Sequence, residues 1–154
     1  MLKSNPHRKA QLSLEALFLM AIILIGVVLI MPYYGSQNSA MSITSYVRSD
    51  VQFACSYLSA GVMKNETPYS YLNSILSAYG PVDIVFQNMS YSSGSNVSIS
   101  VKLVSSNWVP PQLEREIRNF VVSDLLSRRI LGGSLTSPTY NGKPFVLNVS
   151  VVIE

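Results

Sequence analysis

Residues 16–31 read Ala-Leu-Phe-Leu-Met-Ala-Ile-Ile-Leu-Ile-Gly-Val-Val-Leu-Ile-Met, a run without a polar side chain. Leu12 and Leu14 extend the run on its N-terminal side, and Tyr33 and Tyr34 extend it on the other. As a helix, this segment approaches the roughly 20 residues that cross a bilayer. Because basic residues lie immediately before it, we expect the short N-terminus to stay in the cytoplasm and the rest of the chain to be exported.

Composition argues against several classes of function. The chain has 154 residues, and three of its 11 Lys and Arg residues lie in the first ten positions, which leaves eight against 8 Asp and Glu. No basic stripe remains that could neutralise several phosphates, so nucleic acid is not an expected partner. With one Cys and one His, neither a Cys/His metal site nor a His-dependent triad is expected. We expect no enzymatic activity and no cofactor.

The apolar run has three interpretations: a cleaved secretory signal, a permanent signal anchor, or a segment processed before the run. A secretory signal needs small residues just after its apolar part, and residues 32–35, Pro-Tyr-Tyr-Gly, make a poor cleavage site. Ser13 and Glu15 place polar groups at the start of the helix. A carboxylate at bilayer depth costs about 2 to 3 kcal/mol, which indicates a specific role for Glu15.

Residues 9–15, Lys-Ala-Gln-Leu-Ser-Leu-Glu, resemble the archaeal class III signal peptide of type IV pilin-like prepilins. That family has the pattern Gln-x-Ser-x-Glu before an apolar helix, and usually a glycine where this chain has Ala10. The resemblance implies that a prepilin peptidase cuts between Ala10 and Gln11, so that the apolar helix stays on the mature subunit. The recognition motif that it implies consists of Lys9, Gln11, Ser13 and Glu15.

The resemblance also implies a function and partners. The expected function is that of a structural subunit of an archaeal type IV pilus-like surface filament, a helical polymer of identical or related pilin subunits. A pilus assembly platform and its ATPase are implied partners, together with membrane lipid before assembly. The expected location is the cell membrane, with an extracellular head, and then the cell-surface filament. The alternative is a membrane-anchored binding or adhesion module, or a minor pilin that does not polymerise in bulk.

Glu15 has a physical role in such a filament. After a cut before Gln11, Glu15 lies four residues from the new ammonium, a rise of about 6 Å along a helix. A neighbouring subunit displaced along the filament axis can bring its own ammonium to Glu15, and poorly solvated opposite charges attract more strongly than charges in water. This pairing is predicted to select the axial register. Alternatively, Glu15 reaches the cytoplasmic headgroups.

The remaining sequence predicts a stalk and an α+β head. The expected divisions are a basic leader 1–10, a transmembrane or filament-core helix 11–34, a stalk helix 35–64 and an exported head 65–154. Pro32 and Gly35 either bend a continuous helix, which we favour, or end it. One apolar stripe at helical spacing consists of Ile43, Val47, Val51, Ala54, Leu58 and Val62, with Phe53 and Cys55 near it in the expected core.

In the head, apolar periodicity and turn residues predict five elements. They are a helix at 69–79, strands at 82–86 and 97–103, a helix at 110–131 that Gly132-Gly133 ends before a loop, and a strand at 145–154. We expect a small antiparallel sheet packed on helices, a pilin-like α+β fold.

Four Asn-x-Ser/Thr triplets are possible N-glycosylation acceptors in an exported chain, at Asn65, Asn88, Asn96 and Asn148. Asn65 and Asn96 lie in predicted loops, which favours them, whereas Asn148 requires a solvent-facing strand. Turns and strand faces rich in Ser and Asn produce the same triplets without any modification.

Overall fold

A computed structural model of the chain describes residues 6–154, and it describes side chains for residues 14–31 and 38–154. The helices are α1 (Pro6–Ala60), α2 (Ser70–Tyr79) and α3 (Leu113–Ser127). The strands are β1 (Ile84–Ser93), β2 (Val97–Ser105), β3 (Gly132–Gly133), β4 (Pro138–Tyr140) and β5 (Lys143–Ile153). Contacts divide the chain between Met41 and Ser42 into an N-terminal unit and a C-terminal unit, and α1 contributes residues to both.

The N-terminal unit consists of the first part of α1. The backbone of α1 is helical through residues 32–35, where the sequence has a proline and a glycine. The side chains of residues 32–37 lie outside those described.

The second part of α1 places the predicted apolar stripe in the core. Ile43, Val47, Val51, Ala54 and Leu58 are all fully buried, as the three- to four-residue spacing requires of one helix face. The prediction for Val62 was wrong, because α1 ends at Ala60 and Gly61 adopts a left-handed conformation (φ +69°). Val62 therefore follows the helix and is 65% exposed.

Five strands form one mixed sheet with the order β1-β2-β5-β4-β3. β1 and β2 are an antiparallel hairpin, with a bulge between Phe86 and Asn88. β4 pairs antiparallel with β5 and with β3. The α+β class and the sheet packed on helices are therefore confirmed.

The prediction of an antiparallel sheet was wrong at its centre, where β2 and β5 are parallel. The two strands are separated by α3, and a helical crossover returns the chain to the end of the sheet where the first strand began. The strand–helix–strand order was present in the sequence and indicates a parallel pair. Sequential order alone had suggested hairpin-like pairing throughout.

A short hairpin precedes the parallel strand, and the sequence analysis missed it. Asn141 (φ 50°) and Gly142 (φ 76°) join β4 to β5, and both have the positive φ values that a type I′ turn requires. Gly132-Gly133, predicted as a loop after α3, pairs as β3 with Pro138 and Thr139. A 3.0 Å approach of Thr139 Oγ1 to the position of a Cβ on Gly132 shows why a small residue suits that pair.

α3 is shorter at both ends than the predicted helix 110–131. Its C-terminal stop is Arg129, which has a positive φ of 58°. The Ile130 N–H donates to the Leu125 carbonyl at 2.9 Å, and the Arg129 N–H donates to the Leu126 carbonyl at 3.0 Å. These two bonds are those of a Schellman motif, in which glycine usually occupies the left-handed position. The sequence therefore gave no glycine signal for the true end of the helix.

The predicted buried faces of the two short helices are largely confirmed. Leu72, Ile75 and Leu76 of α2 are buried, whereas Tyr79 is 44% exposed. All five predicted positions of α3 are buried, namely Leu113, Ile117, Phe120, Val121 and Leu125. Cys55 is buried as expected, but Phe53, also expected in the core, is 44% exposed.

Candidate functional site

The apolar segment of the N-terminal unit, Leu14–Met31, is the first candidate site. Its mean hydropathy is 2.9, and none of it is buried within the chain. Its 14 large apolar side chains are between 44% and 74% exposed. Covering such side chains is worth about 1.5 to 3 kcal/mol each, so their exposure to water is unfavourable by a large sum. Among the described residues this is the one helix long and apolar enough to span a membrane, although a signal sequence has the same length and composition.

Glu15 lies one residue inside that segment and is exposed on α1. It is the one ionisable residue in the sequence between Leu14 and Met31. The other predicted processing residues, Lys9, Ala10, Gln11 and Ser13, belong to α1 by backbone, but their side chains lie outside those described. The processing site and the recognition motif therefore remain predictions.

The four possible glycosylation acceptors are all exposed. Asn65 lies between α1 and α2, and Asn96 lies in the turn between β1 and β2. Asn88 and Asn148 lie on the sheet face opposite the core, since their neighbours Met89 and Leu147 pack on the core from the other face. Exposure satisfies the steric condition for modification at each asparagine, and glycosylation itself stays a prediction.

A charged cluster in the C-terminal unit forms a second candidate site, which the sequence analysis did not find. Arg128, at the end of α3, donates hydrogen bonds to Asp50 Oδ1 on α1 and to Asp124 Oδ2 on α3. Asp50 is 6% exposed, whereas the Arg128 side chain is 41% exposed. Asp50 Oδ2 is buried and has no hydrogen-bond partner among the described residues.

The electrostatics of this cluster are dominated by burial. Loss of solvation raises the pKa of the Asp50 carboxyl from 3.8 to about 6, and the hydrogen bond and charge of Arg128 oppose that rise. Asp124 adds a smaller repulsion in the same direction as burial. A carboxylate with one unpaired oxygen is thus held in the core at an energetic cost.

A signal for Asp50 was present in the sequence. Asp50 is three residues after Val47 and four before Ala54, which places it beside the apolar stripe of α1. A carboxylate at the border of a buried face indicates a partner in the core. The partner itself is 78 residues away along the chain, so no local pattern connects Asp50 with Arg128.

Four aromatic rings lie next to the charged cluster. Phe53, Tyr57, Tyr69 and Phe120 have neighbouring ring centroids 5.2–6.2 Å apart, and we refer to them as the aromatic cluster. The ammonium of Lys64 lies 5.3 Å from the centroid of Tyr69. This distance is within the range of a cation–π interaction.

Cys55 lines a different groove, between α1 and the start of β1. The groove has a volume of about 450 Å³, and its lining includes Ser56, Ser59 and Asp83. Burial raises the pKa of the Cys55 thiol to about 12, so the thiol stays protonated at neutral pH. A protonated, buried thiol is a poor nucleophile.

The comparisons with known proteins leave the class of protein open. No protein-family model, no curated protein and no solved structure matches the chain. Within residues 6–154 there is no group of three or more His, Cys, Asp or Glu side chains placed to hold a metal ion. The functional argument therefore rests on the apolar segment, on Glu15 and on the sequence around them.

Proposed function

We propose that the chain is a structural subunit of an archaeal type IV pilus-like surface filament. A prepilin peptidase cuts it between Ala10 and Gln11, and the apolar segment Leu14–Met31 then assembles with copies of itself. The observation that carries this proposal is the complete exposure of that segment within the chain. Pilin-likeness of the C-terminal unit is part of the proposal and not a premise of it.

The apolar segment requires a non-aqueous neighbour throughout the life of the subunit. Lipid provides one before assembly, when the basic leader holds the N-terminus in the cytoplasm. In a filament, the equivalent segments of neighbouring subunits provide the other, through dispersion and exclusion of solvent. Eighteen apolar residues on one helix offer enough surface for either environment.

Glu15 supplies the specificity that apolar packing lacks. Apolar helices can slide along one another at little cost, whereas a carboxylate among them is stabilised only where a cation meets it. The ammonium of Gln11, created by processing, is such a cation on every neighbouring subunit. One charge pair per contact therefore selects one axial displacement.

A charge-neutral variant tests this role. Glu15→Gln keeps the size of the side chain and removes its charge, while Glu66→Gln makes the same change at an exposed position of the C-terminal unit. We expect Glu15→Gln to lower the amount of subunit in the sheared surface fraction at least tenfold, which corresponds to about 1.4 kcal/mol. Processing and membrane insertion should persist, and Glu66→Gln should leave the yield unchanged. An unchanged yield for Glu15→Gln would remove the register role.

A second function is favoured by one observation on the C-terminal unit. Trp108 and Tyr79 form an edge-to-face pair with centroids 5.1 Å apart, and they are 61% and 44% exposed. Exposed Trp and Tyr side chains are frequent anchors of binding surfaces. A membrane-anchored adhesion module, or a minor pilin, would use such a surface without polymerising in bulk. Low abundance in sheared filaments together with loss of adhesion in Trp108→Ala would favour this alternative.

A further inference from the structure

We propose that a cavity in the C-terminal unit binds an alkylammonium group, a primary ammonium on an apolar stem. The cavity has a volume of about 280 Å³, and we refer to it as the acidic cavity. Its lining includes Asp50, Phe53, Tyr69, Phe120, Asp124 and Arg128. The site is separate from the apolar segment and does not rest on the proposed filament function.

The charges of the lining favour a cation. Two carboxylates, Asp50 and Asp124, share one guanidinium, that of Arg128, which leaves one negative charge in excess. Asp50 is 6% exposed and its Oδ2 has no donor among the described residues. A buried carboxylate with an unused acceptor is stabilised by a further cationic donor, and an anion would be repelled by both carboxylates.

The aromatic side of the cavity favours an organic cation over a metal ion. The centroids of Phe53, Tyr69 and Phe120 are 5.8–6.2 Å apart, so three rings border one small space. Ring faces attract an ammonium and also pack against methylene groups. The ammonium of Lys64, 5.3 Å from the Tyr69 centroid, already makes this kind of contact on the same aromatic cluster. A bare metal ion needs several oxygen ligands, and Arg128 already engages both carboxylates.

Two sources can supply the ligand. One is a free alkylamine, and the other is a lysine side chain of a second copy of this chain. Both present an ammonium at the end of an apolar stem, so the same cavity chemistry serves either. A binding experiment on the unassembled chain tests the chemistry, and a second experiment identifies the source.

The first experiment titrates n-butylammonium into the full chain, held in a non-ionic detergent at pH 7.5. The readout is the set of ring signals in a carbon–proton NMR spectrum of Phe- and Tyr-labelled protein. We expect saturable shifts for Phe53, Tyr69 and Phe120, and no such shifts with 1-butanol, which has the same stem without the charge. Absence of saturable shifts, or equal shifts with 1-butanol, would overturn the proposal.

Variants assign the binding to the acidic cavity. We expect Asp50→Asn and Phe53→Leu each to weaken binding at least tenfold. Asp83→Asn is the matched control, because Asp83 is an exposed carboxylate that lines the groove beside Cys55. Near-UV circular dichroism checks that each variant is folded, and Asp124→Asn replaces Asp50→Asn if the latter does not fold. Equal affinity in folded cavity variants would overturn the proposal.

The pH dependence supplies an independent readout. The ionisable groups that face Asp50 are Asp124 and Arg128 from α3 and its end, and the rings of Phe53, Tyr69 and Phe120 complete the lining. Protonation of Asp50 removes the charge that attracts the ammonium, so binding should weaken between pH 7.5 and pH 5. An affinity that stays constant over this range would contradict a role for Asp50.

The second experiment repeats the titration on sheared surface material and adds a zero-length carbodiimide cross-link. If a lysine of a second copy occupies the cavity, the shifts are lost in the assembled material, and Asp50 or Asp124 becomes linked to a lysine peptide of another chain. If the shifts persist and no such link forms, the source is a free alkylamine. Failure of the chain to assemble would count against the proposed function and would leave the titration of the unassembled chain unaffected.

Discussion

Two helices of the C-terminal unit end on residues with positive φ, and the two residues differ in what this conformation costs. Gly61, after α1, has no Cβ to clash with its own carbonyl at φ +69°. Arg129, after α3, adopts φ 58° with a full side chain, which is unfavourable by about 1 kcal/mol. The Schellman bonds at Leu125 and Leu126 hold Arg129 in place despite this cost.

The first prediction exchanges these residue types. Arg129→Gly should raise the free energy of unfolding by about 0.5 to 1 kcal/mol, because relief of strain exceeds the greater entropy of glycine in the unfolded chain. Gly61→Ala should lower it by about 1 to 2 kcal/mol, since a Cβ there would also lie 2.7 Å from Pro81 Cγ. Denaturant unfolding of the full chain in detergent, followed by near-UV circular dichroism, measures both. Destabilisation by Arg129→Gly would contradict the strain at this position.

Asp50 predicts a pH dependence of stability. Its pKa is raised from 3.8 to about 6 in the folded chain, so this group favours folding fully below about pH 4 and loses that contribution as the pH rises through 6. Allowing for screening around the half-exposed Arg128, the loss between pH 4 and pH 7 is about 1 to 2 kcal/mol. Asp50→Asn should flatten this part of the profile, while Asp83→Asn should not. Melting temperatures from pH 4 to pH 8 test this; an identical slope in Asp50→Asn would count against it.

At the scale of elements, the direction of β5 is the feature that distinguishes the fold from the expected antiparallel sheet. The parallel register pairs Ser100 with Asn148 and Val104 with Val152. An antiparallel pairing about the same centre would instead bring Ser98 opposite Val152. In the parallel register those two residues are six positions apart along the strands, about 20 Å.

Engineered cysteines test the strand direction. In a Cys55→Ala background, we expect Ser100→Cys with Asn148→Cys to form a disulfide on mild oxidation, because adjacent strand partners lie within disulfide range. Ser98→Cys with Val152→Cys should remain unlinked. Mass spectrometry of non-reduced peptides identifies the linked pair. The reverse pattern would show that β5 runs antiparallel to β2.

At the scale of the whole molecule, what the sequence could predict depended on how far the interacting residues lie apart. The apolar segment and the stripe from Ile43 to Leu58 follow from periodicity within one helix, and both were predicted. The ion pair of Asp50 with Arg128 joins residues 78 positions apart, and local patterns do not encode such contacts. The end of α3 was missed because an arginine occupies the position where glycine is the usual signal.

The two parts of the molecule also differ in how their predictions stand. The secondary structure of the C-terminal unit was predicted approximately, with the strand direction and the short β3–β4 hairpin missed. The processing motif before the apolar segment depends on recognition by another protein, and no geometry within this chain decides it. That motif connects the apolar segment with filament assembly, so it is the point at which the account is most open to direct test.

The most direct measurement is the intact mass and N-terminal peptide of the chain recovered from membranes and from sheared surface material of native cells. We predict a mature chain that begins at Gln11, has lost Lys3, Arg8 and Lys9, and is abundant in the sheared fraction. A chain that retains those three basic residues would be a signal anchor, and one that begins after Tyr34 would be a secreted domain. Either result would contradict assembly through the apolar segment Leu14–Met31.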